Sequence, residues 1–363
     1  MSALPSGRLA RCGLRLNYAS TAVTIEQRAD GTAGFGGLAL CGSVWGCPVC
    51  SARIRQGRAV ELEEACARWL REGHGLTFVT LTLRHTRADA LDGLLGVLSD
   101  AWAALSRHRE WKEGAGFFGF VGAVRAVEVV HGKNGWHPHA HLLLFTERPL
   151  TRRRTKGLGR LLYRCWEREV TRLGATCESA GFNCQEVRGS RDVARYVSKV
   201  QDENGNERAL GMEMTRADLK RRGAGVHPFT LLDDAKVNDS SRLLWREYER
   251  ATHGRRCLTL GHQLGRRIGL RVEDPDPQER GTVAYTFDRD AWRLVIHAKA
   301  RSRVLDAFEA GGVDAVFLLL CDLHAAYDWT NADAQWRAER WERNQERYAN
   351  AAREWAGAPL VAL

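Results

Sequence analysis

The chain has 363 residues, 44% of them apolar, with a formal net charge of +10 and an isoelectric point near 9.3. That length exceeds the usual single domain, so two or three globular parts are expected. No apolar run approaches the roughly 20 residues of a membrane-spanning helix and the N-terminus lacks the apolar stretch of a secretory signal, which speaks against a spanning helix and makes a cytoplasmic location the expectation by default.

The positive balance suits a polyanionic partner, because clustered Lys and Arg release counterions from phosphates. Ten cysteines in a reducing compartment read as metal ligands or buried thiols rather than as a disulfide framework.

Three segments differ in texture: residues 1–72, 73–205 and 206–363. The first holds Cys12, Cys41, Cys47 and Cys50, a glycine-rich turn region and then a helical stretch from Ser51 to about Arg71. Cys47 and Cys50 form a C-x-x-C, a spacing that lets two thiolates grip one ion, with Cys41 six residues before the first of them. With Cys12 as the fourth ligand, the group reads as a structural Zn²⁺ site. Plain buried cysteines are the bland alternative.

The second segment alternates strand and helix patterns. Leu76 to Leu83 is β-branched and alternates apolar residues with Thr, which predicts a strand. Helical spacing follows from Ala88 to about His108. Phe117 to Val130 reads as a long strand, Gly132-Lys133-Asn134-Gly135 as a turn, and His139 to Phe145 as its hairpin partner. A helix from Thr151 to Leu173 begins with Arg152, Arg153, Arg154 and Lys156, which read either as contacts to the phosphate backbone of the nicked strand or, equally, as a solvated helix start. Asn183–Val187 is a short strand and Arg191–Val200 a helix. The order βαββαβα predicts an α+β fold, ferredoxin-like in layout, with an antiparallel sheet and helices on one face.

The strongest local signal is Gly-Trp-His-Pro-His-Ala-His-Leu-Leu-Leu, residues 135–144. Side chains alternate faces along a strand, so His139 and His141 point the same way about 7 Å apart and share one divalent ion. His137 falls on that face too, although Pro138 is expected to break the strand there. Glu128, across the hairpin, is the candidate third ligand, since a carboxylate within a strand needs pairing or a metal. Imidazoles with a carboxylate suit Mg²⁺ or Mn²⁺. On the helix after the last strand, Asp192, Tyr196 and Lys199 fall at i, i+4 and i+7, on one face.

Taken together, Phe78-Val79-Thr80-Leu81-Thr82-Leu83, His137-Pro138-His139-Ala140-His141-Leu142 and Tyr196-Val197-Ser198-Lys199 resemble the three ordered motifs of single-tyrosine rolling-circle plasmid replication initiators of Gram-positive type, members of the HUH endonuclease superfamily. The resemblance spans about residues 76–200 and extends upstream to the cysteine segment 41–50. It implies a nuclease that nicks one strand at a plasmid double-strand origin, at a single-stranded or cruciform site, and then meets a host helicase and replication machinery. It implies Tyr196 as nucleophile, giving a 5′-phosphotyrosine link and a free 3′-OH. Lys199 matches the family's lysine. Asp192 stands where one branch carries a Glu that activates water for the terminating step. The mostly helical region after residue 206 is left for origin recognition, and the oligomeric state is not fixed by the sequence. Two other readings stay open: a single-strand DNA transposase of the same superfamily, and a non-catalytic zinc-stabilised DNA-binding protein.

Overall fold

The structure is a computed structural model that describes residues 8–9, 11–27, 32–187, 226–270 and 281–326. Two compact units divide the chain: Met1–Ala10 with Gly42–Pro277, and Arg11–Cys41 with Gln278–Leu363.

The first unit is built on a five-stranded antiparallel sheet. Its strands in chain order are β3 (Gly75–Thr82), β4 (Phe120–Gly132), β5 (Gly135–Thr146), β6 (Asn183–Val187) and β7 (Leu258–Leu260), arranged β6-β3-β5-β4-β7. The first four of these stand in the order expected of a ferredoxin-like sheet, and β7 adds an edge strand. Helices α1 (Pro48–Arg71), α2 (Leu91–Arg107), α3 (Arg109–Phe117) and α4 (Arg152–Arg172) surround it, with α5 (Pro228–Asp234), α6 (Asp239–Thr252) and α7 (His262–Ile268) later in the chain.

Strand alternation sorts the sheet into two faces. On one, Val79, Leu81, Val127, Ala140, Leu142 and Leu144 pack beneath Leu94, Leu98 and Leu105 of α2 and Leu158, Leu162 and Trp166 of α4. The helices expected on one face are thus there. On the other, Leu76, Phe78, Val124, Leu143 and Phe145 pack against Leu62, Cys66 and Trp69 of α1 and Leu264 and Ile268 of α7. This second cover lies over the Gly75 end of β3, which pairs with the Thr146 end of β5. The opposite end of the same face carries His139 and His141.

Two local details differ from the pattern read in sequence. The long strand expected from Phe117 begins instead at Phe120, because α3 runs through Phe117. Its cap is His108, whose Nδ1 accepts the amide N–H of Glu110 at 3.2 Å, and Trp111 and Ala115, one turn apart, are its buried face. The second difference is that β5 runs straight through Pro138. The β3 ladder ends at Thr82 opposite His139, so Pro138 lies one residue past it, on a side where no partner strand asks for an amide N–H. At the hairpin tip Gly135 has φ +92°, and a Cβ there would sit 2.9 Å from the Thr86 carbonyl oxygen, so only glycine fits.

The second unit joins β1 (Val23–Gln27) and β2 (Ala33–Gly36) to β8 (Thr282–Phe287), with β1 in the middle. Helices α8 (Arg289–His297) and α9 (Arg301–Ala325) cover it. Gly311-Gly312 interrupts α9: Gly312 sits at φ +66° and ψ −154°, a region open to glycine alone. Among the described residues, no helix is long and apolar enough to cross a membrane. Asp202-Glu203-Asn204-Gly205-Asn206, a polar break that reads in sequence as a linker, and the Trp-rich stretch 333–355, whose spacing predicts a helix, lie outside the described residues.

Candidate metal centre

The turn sets the geometry of the centre. A two-residue connection at Lys133-Asn134 pairs Gly132 with Gly135, and counting back along both strands puts Glu128 directly opposite His139. Alternation then carries His141 to the same face, opposite Ala126 on β4 and Thr80 on β3.

One carboxylate oxygen serves both rings. Glu128 Oε2 lies 3.0 Å from His139 Nε2 and 3.4 Å from His141 Nε2. The three donor atoms lie within 4.8 Å of one another. Glu128 and His139 are buried, at 7% and 3% exposure, and His141 is partly open. That combination has one wall sealed in protein and one side reachable by a ligand.

The far nitrogens are held as well. His141 Nδ1 is 3.2 Å from Thr80 Oγ1, and its ring stacks on Phe78 with centroids 5.3 Å apart. His139 Nδ1 faces the His137 carbonyl oxygen at 3.5 Å. Fixing the outer nitrogen of a ligating imidazole leaves its inner lone pair aimed at the ion. The donor set therefore fits a divalent cation: two borderline imidazole nitrogens and a hard carboxylate oxygen, converging from two neighbouring strands.

Electrostatics around the carboxylate follow from the same contacts. Burial pushes the Glu128 carboxyl up, but hydrogen bonds from His139 and His141, together with the charge of those rings, outweigh it and hold the group down at about 2. His137 is also lowered, to about 4, but here burial comes first, followed by the charges of its neighbours His139 and His85, so the neutral ring is favoured.

His137 is joined to a residue that sequence pattern did not single out. His85 Nε2 lies 2.7 Å from His137 Nδ1, and His85 Nδ1 lies 3.2 Å from the Asn134 carbonyl oxygen. Arg87 also donates to the Lys133 carbonyl, so the loop after β3 is fastened to the hairpin tip. Thr80, in sequence only a member of the first motif, is given its role by its contact with His141, and its place in an alternating Thr-x-Thr strand is the signal that puts it on the histidine face.

Of the ten cysteines, the four candidate zinc ligands fall in two pairs, one in each unit. Cys47 caps α1: its Sγ accepts the Cys50 amide N–H at 3.5 Å, and Pro48 opens the first turn. Cys12 Sγ accepts the Cys41 amide N–H at 3.3 Å. Amide donors aimed at sulfur are what a thiolate ligand needs.

Arg152, Arg153, Arg154 and Lys156 are exposed on the first turns of α4. That helix packs on the face opposite the histidines, so these cations and the metal centre are not brought together. Tyr196, Asp192 and Lys199, with the helix read at 191–200, lie outside the described residues.

Comparison with known proteins adds an independent line. A family model described as "Replication protein" matches residues 39–156, a span holding Cys41, Cys47, Cys50, Glu128, His139 and His141. "Protein rep" of Streptomyces lividans is 31% identical over 338 residues, covering 72% of this chain and 70% of that protein. "Neomycin resistance protein" of Streptomyces cyanogenus is 36% identical over 147 residues, about a third of each chain at 34%. No solved structure matches.

Proposed function

The chain belongs to the family of rolling-circle plasmid replication proteins, and from that footing we propose that it starts replication by nicking one strand of the double-strand origin with the phenol of Tyr196. The observation that carries this reading is the convergence of Glu128, His139 and His141 on one face of the β4–β5 hairpin.

Glu128, His139 and His141 would hold a divalent ion, Mg²⁺ or Mn²⁺, and such an ion would supply polarisation of the scissile phosphate. Thr80 and the His137 carbonyl keep the two rings in register with that task. The Tyr196 oxygen bonds to phosphorus while the bond from phosphorus to the 3′ oxygen breaks. The phenolic proton is lost, the leaving 3′ oxygen gains one, and the products are a 5′-phosphotyrosine link and a free 3′-OH. Lys199, three residues after the tyrosine, stabilises the phenolate or orients the phosphate. Asp192, four residues before it, takes the place of a water-activating carboxylate and serves the terminating cleavage.

The cysteine pairs Cys12/Cys41 and Cys47/Cys50 are ligands of one structural Zn²⁺, a reading supported by the C-x-x-C spacing and by the amide donors on sulfur. Origin DNA is the substrate, a host helicase and polymerase are the partners that extend the 3′-OH, and the work is done in the cytoplasm. A nicking assay on supercoiled DNA carrying the cognate origin tests the reading: metal-dependent conversion to a nicked circle with covalently bound protein is expected. Absence of nicking on both that DNA and its single-stranded oligonucleotide would overturn it.

A further inference from the structure

Helix α4 repeats a cation every fourth residue: Arg152, Lys156, Arg160, Arg164 and Arg168. Residues four apart are neighbours on a helix surface, about 6 Å apart along the axis, and the row turns by about 40° per step because 3.6 residues make one turn. That slow turn divides the row in two. Its last members reach α3, where Arg164 and Arg168 each contact a different oxygen of Glu110 at 2.5 Å. Its first three members, Arg152, Lys156 and Arg160, are exposed, and among the described residues no carboxylate lies within ion-pair distance of any of them. The later cations tie two helices together. Among the described residues the earlier ones have no such partner.

Their place excludes the nicked phosphate as their ligand. α4 buries Leu158, Leu162 and Trp166 on the Ala140–Leu142–Leu144 face of the sheet, whereas His139 and His141 share the Leu143–Phe145 face. Neither does the row have the make-up of a single-strand groove, which combines cations with rings on which bases stack. Phe117 and Phe118 both lie under the Arg154 guanidinium, at 5.2 and 5.6 Å from their centroids, and Tyr163, three residues after Arg160, is packed edge to face with Phe182 at 5.2 Å. Arg154 is itself anchored, donating to the Phe117 carbonyl at 2.9 Å. Three cations about 6 Å apart on a rigid helix suit contacts to successive phosphates, the electrostatic part of duplex binding.

We propose that Arg152, Lys156 and Arg160 form a sequence-independent clamp on double-stranded DNA that flanks the nick site. The inference rests on the DNA-processing function proposed above and adds which part of the DNA this face holds.

The test uses the full chain and needs no cleavage. Wild-type protein and the triple variant Arg152→Ala, Lys156→Ala, Arg160→Ala are titrated by fluorescence anisotropy against a short linear duplex lacking the nick site, and against the single-stranded nick-site oligonucleotide. At about 0.9 counterions per phosphate contact, the slope of log K against log salt on the duplex should fall by about 2.7. Duplex affinity should fall by more than about tenfold at low salt, with oligonucleotide affinity changed less than about twofold. A single Lys156→Ala variant, exposed and harmless to packing, should lower the slope by about 0.9, so the proposal stays testable should the triple variant melt early. Unchanged duplex affinity and slope would overturn it. So would an equal loss on the oligonucleotide, which would assign the row to the nicked strand. Wild-type protein that clamps duplex through this row yet forms no tyrosyl adduct would sink the nicking chemistry and leave the clamp standing.

Discussion

Glu128 stands directly across the β4–β5 hairpin from His139, and its Oε2 lies 3.0 Å from that ring's Nε2 with both residues buried. A buried carboxylate held by two imidazoles is expensive without compensation, so each of the three residues depends on the other two.

The first prediction concerns that dependence. His139→Ala and His141→Ala should each abolish metal-dependent nicking while leaving duplex binding close to wild type. Titration with Mn²⁺ should show an affinity loss at or beyond the roughly 10–100-fold range that removal of an outer-shell partner causes. Loss of duplex binding as severe as loss of cleavage would instead make the pair a packing element.

A second prediction follows from the depressed Glu128 carboxyl. Its folded-state pKa, about 2, lies below the ordinary carboxylate value. The stability it contributes is therefore present above the unfolded pKa of about 4.3 and is lost as pH falls toward 2. In metal-free protein, Glu128→Gln should flatten the pH dependence of urea unfolding across that interval. An unchanged slope would mean that the carboxylate gains nothing from the two rings.

For the cysteines, metal analysis of purified protein should find about one zinc per chain, and Cys47→Ser with Cys50→Ser should remove it. Cys66 should behave differently. Fully buried in the α1 core, with its thiol pushed up to about 12 chiefly by burial, it should resist thiol reagents at neutral pH until the protein unfolds. Rapid labelling of Cys66 in native protein would contradict the packing of α1 on the sheet.

The tie between α3 and α4 gives a fourth prediction. Hydrogen bonds from Arg168, then the charge and hydrogen bonds of Arg164, hold the Glu110 carboxyl below its ordinary value. The pair is largely solvent-exposed, so Glu110→Ala should destabilise the fold by no more than about 1 kcal/mol at neutral pH. The sign is that of a depressed acid: the contribution is lost as pH falls, so the difference between the two proteins in thermal midpoint should vanish below the carboxylate range.

Much of this centre is legible in sequence. Alternation along β5 forces His139 and His141 to one face, and a two-residue turn flanked by Gly132 and Gly135 fixes the register that brings Glu128 to them. What escaped was set by contacts rather than by period. Pro138 looks like a strand breaker until the end of the β3 ladder is known. Phe117 and Phe118 lend the end of α3 the look of a strand, and the helix is decided by the His108 cap and the burial of Trp111. The pairing of β1 with β8 joins opposite ends of the chain and has no local signature. His85 became visible only when its ring met His137.

The most direct measurement is mass mapping of the protein–DNA adduct formed on a single-stranded oligonucleotide carrying the origin nick site, with Mn²⁺ present. The account predicts one adduct, a 5′-phosphate bonded to Tyr196, that disappears in Tyr196→Phe and in His141→Ala. An adduct on another residue, or one that persists in Tyr196→Phe, would contradict it.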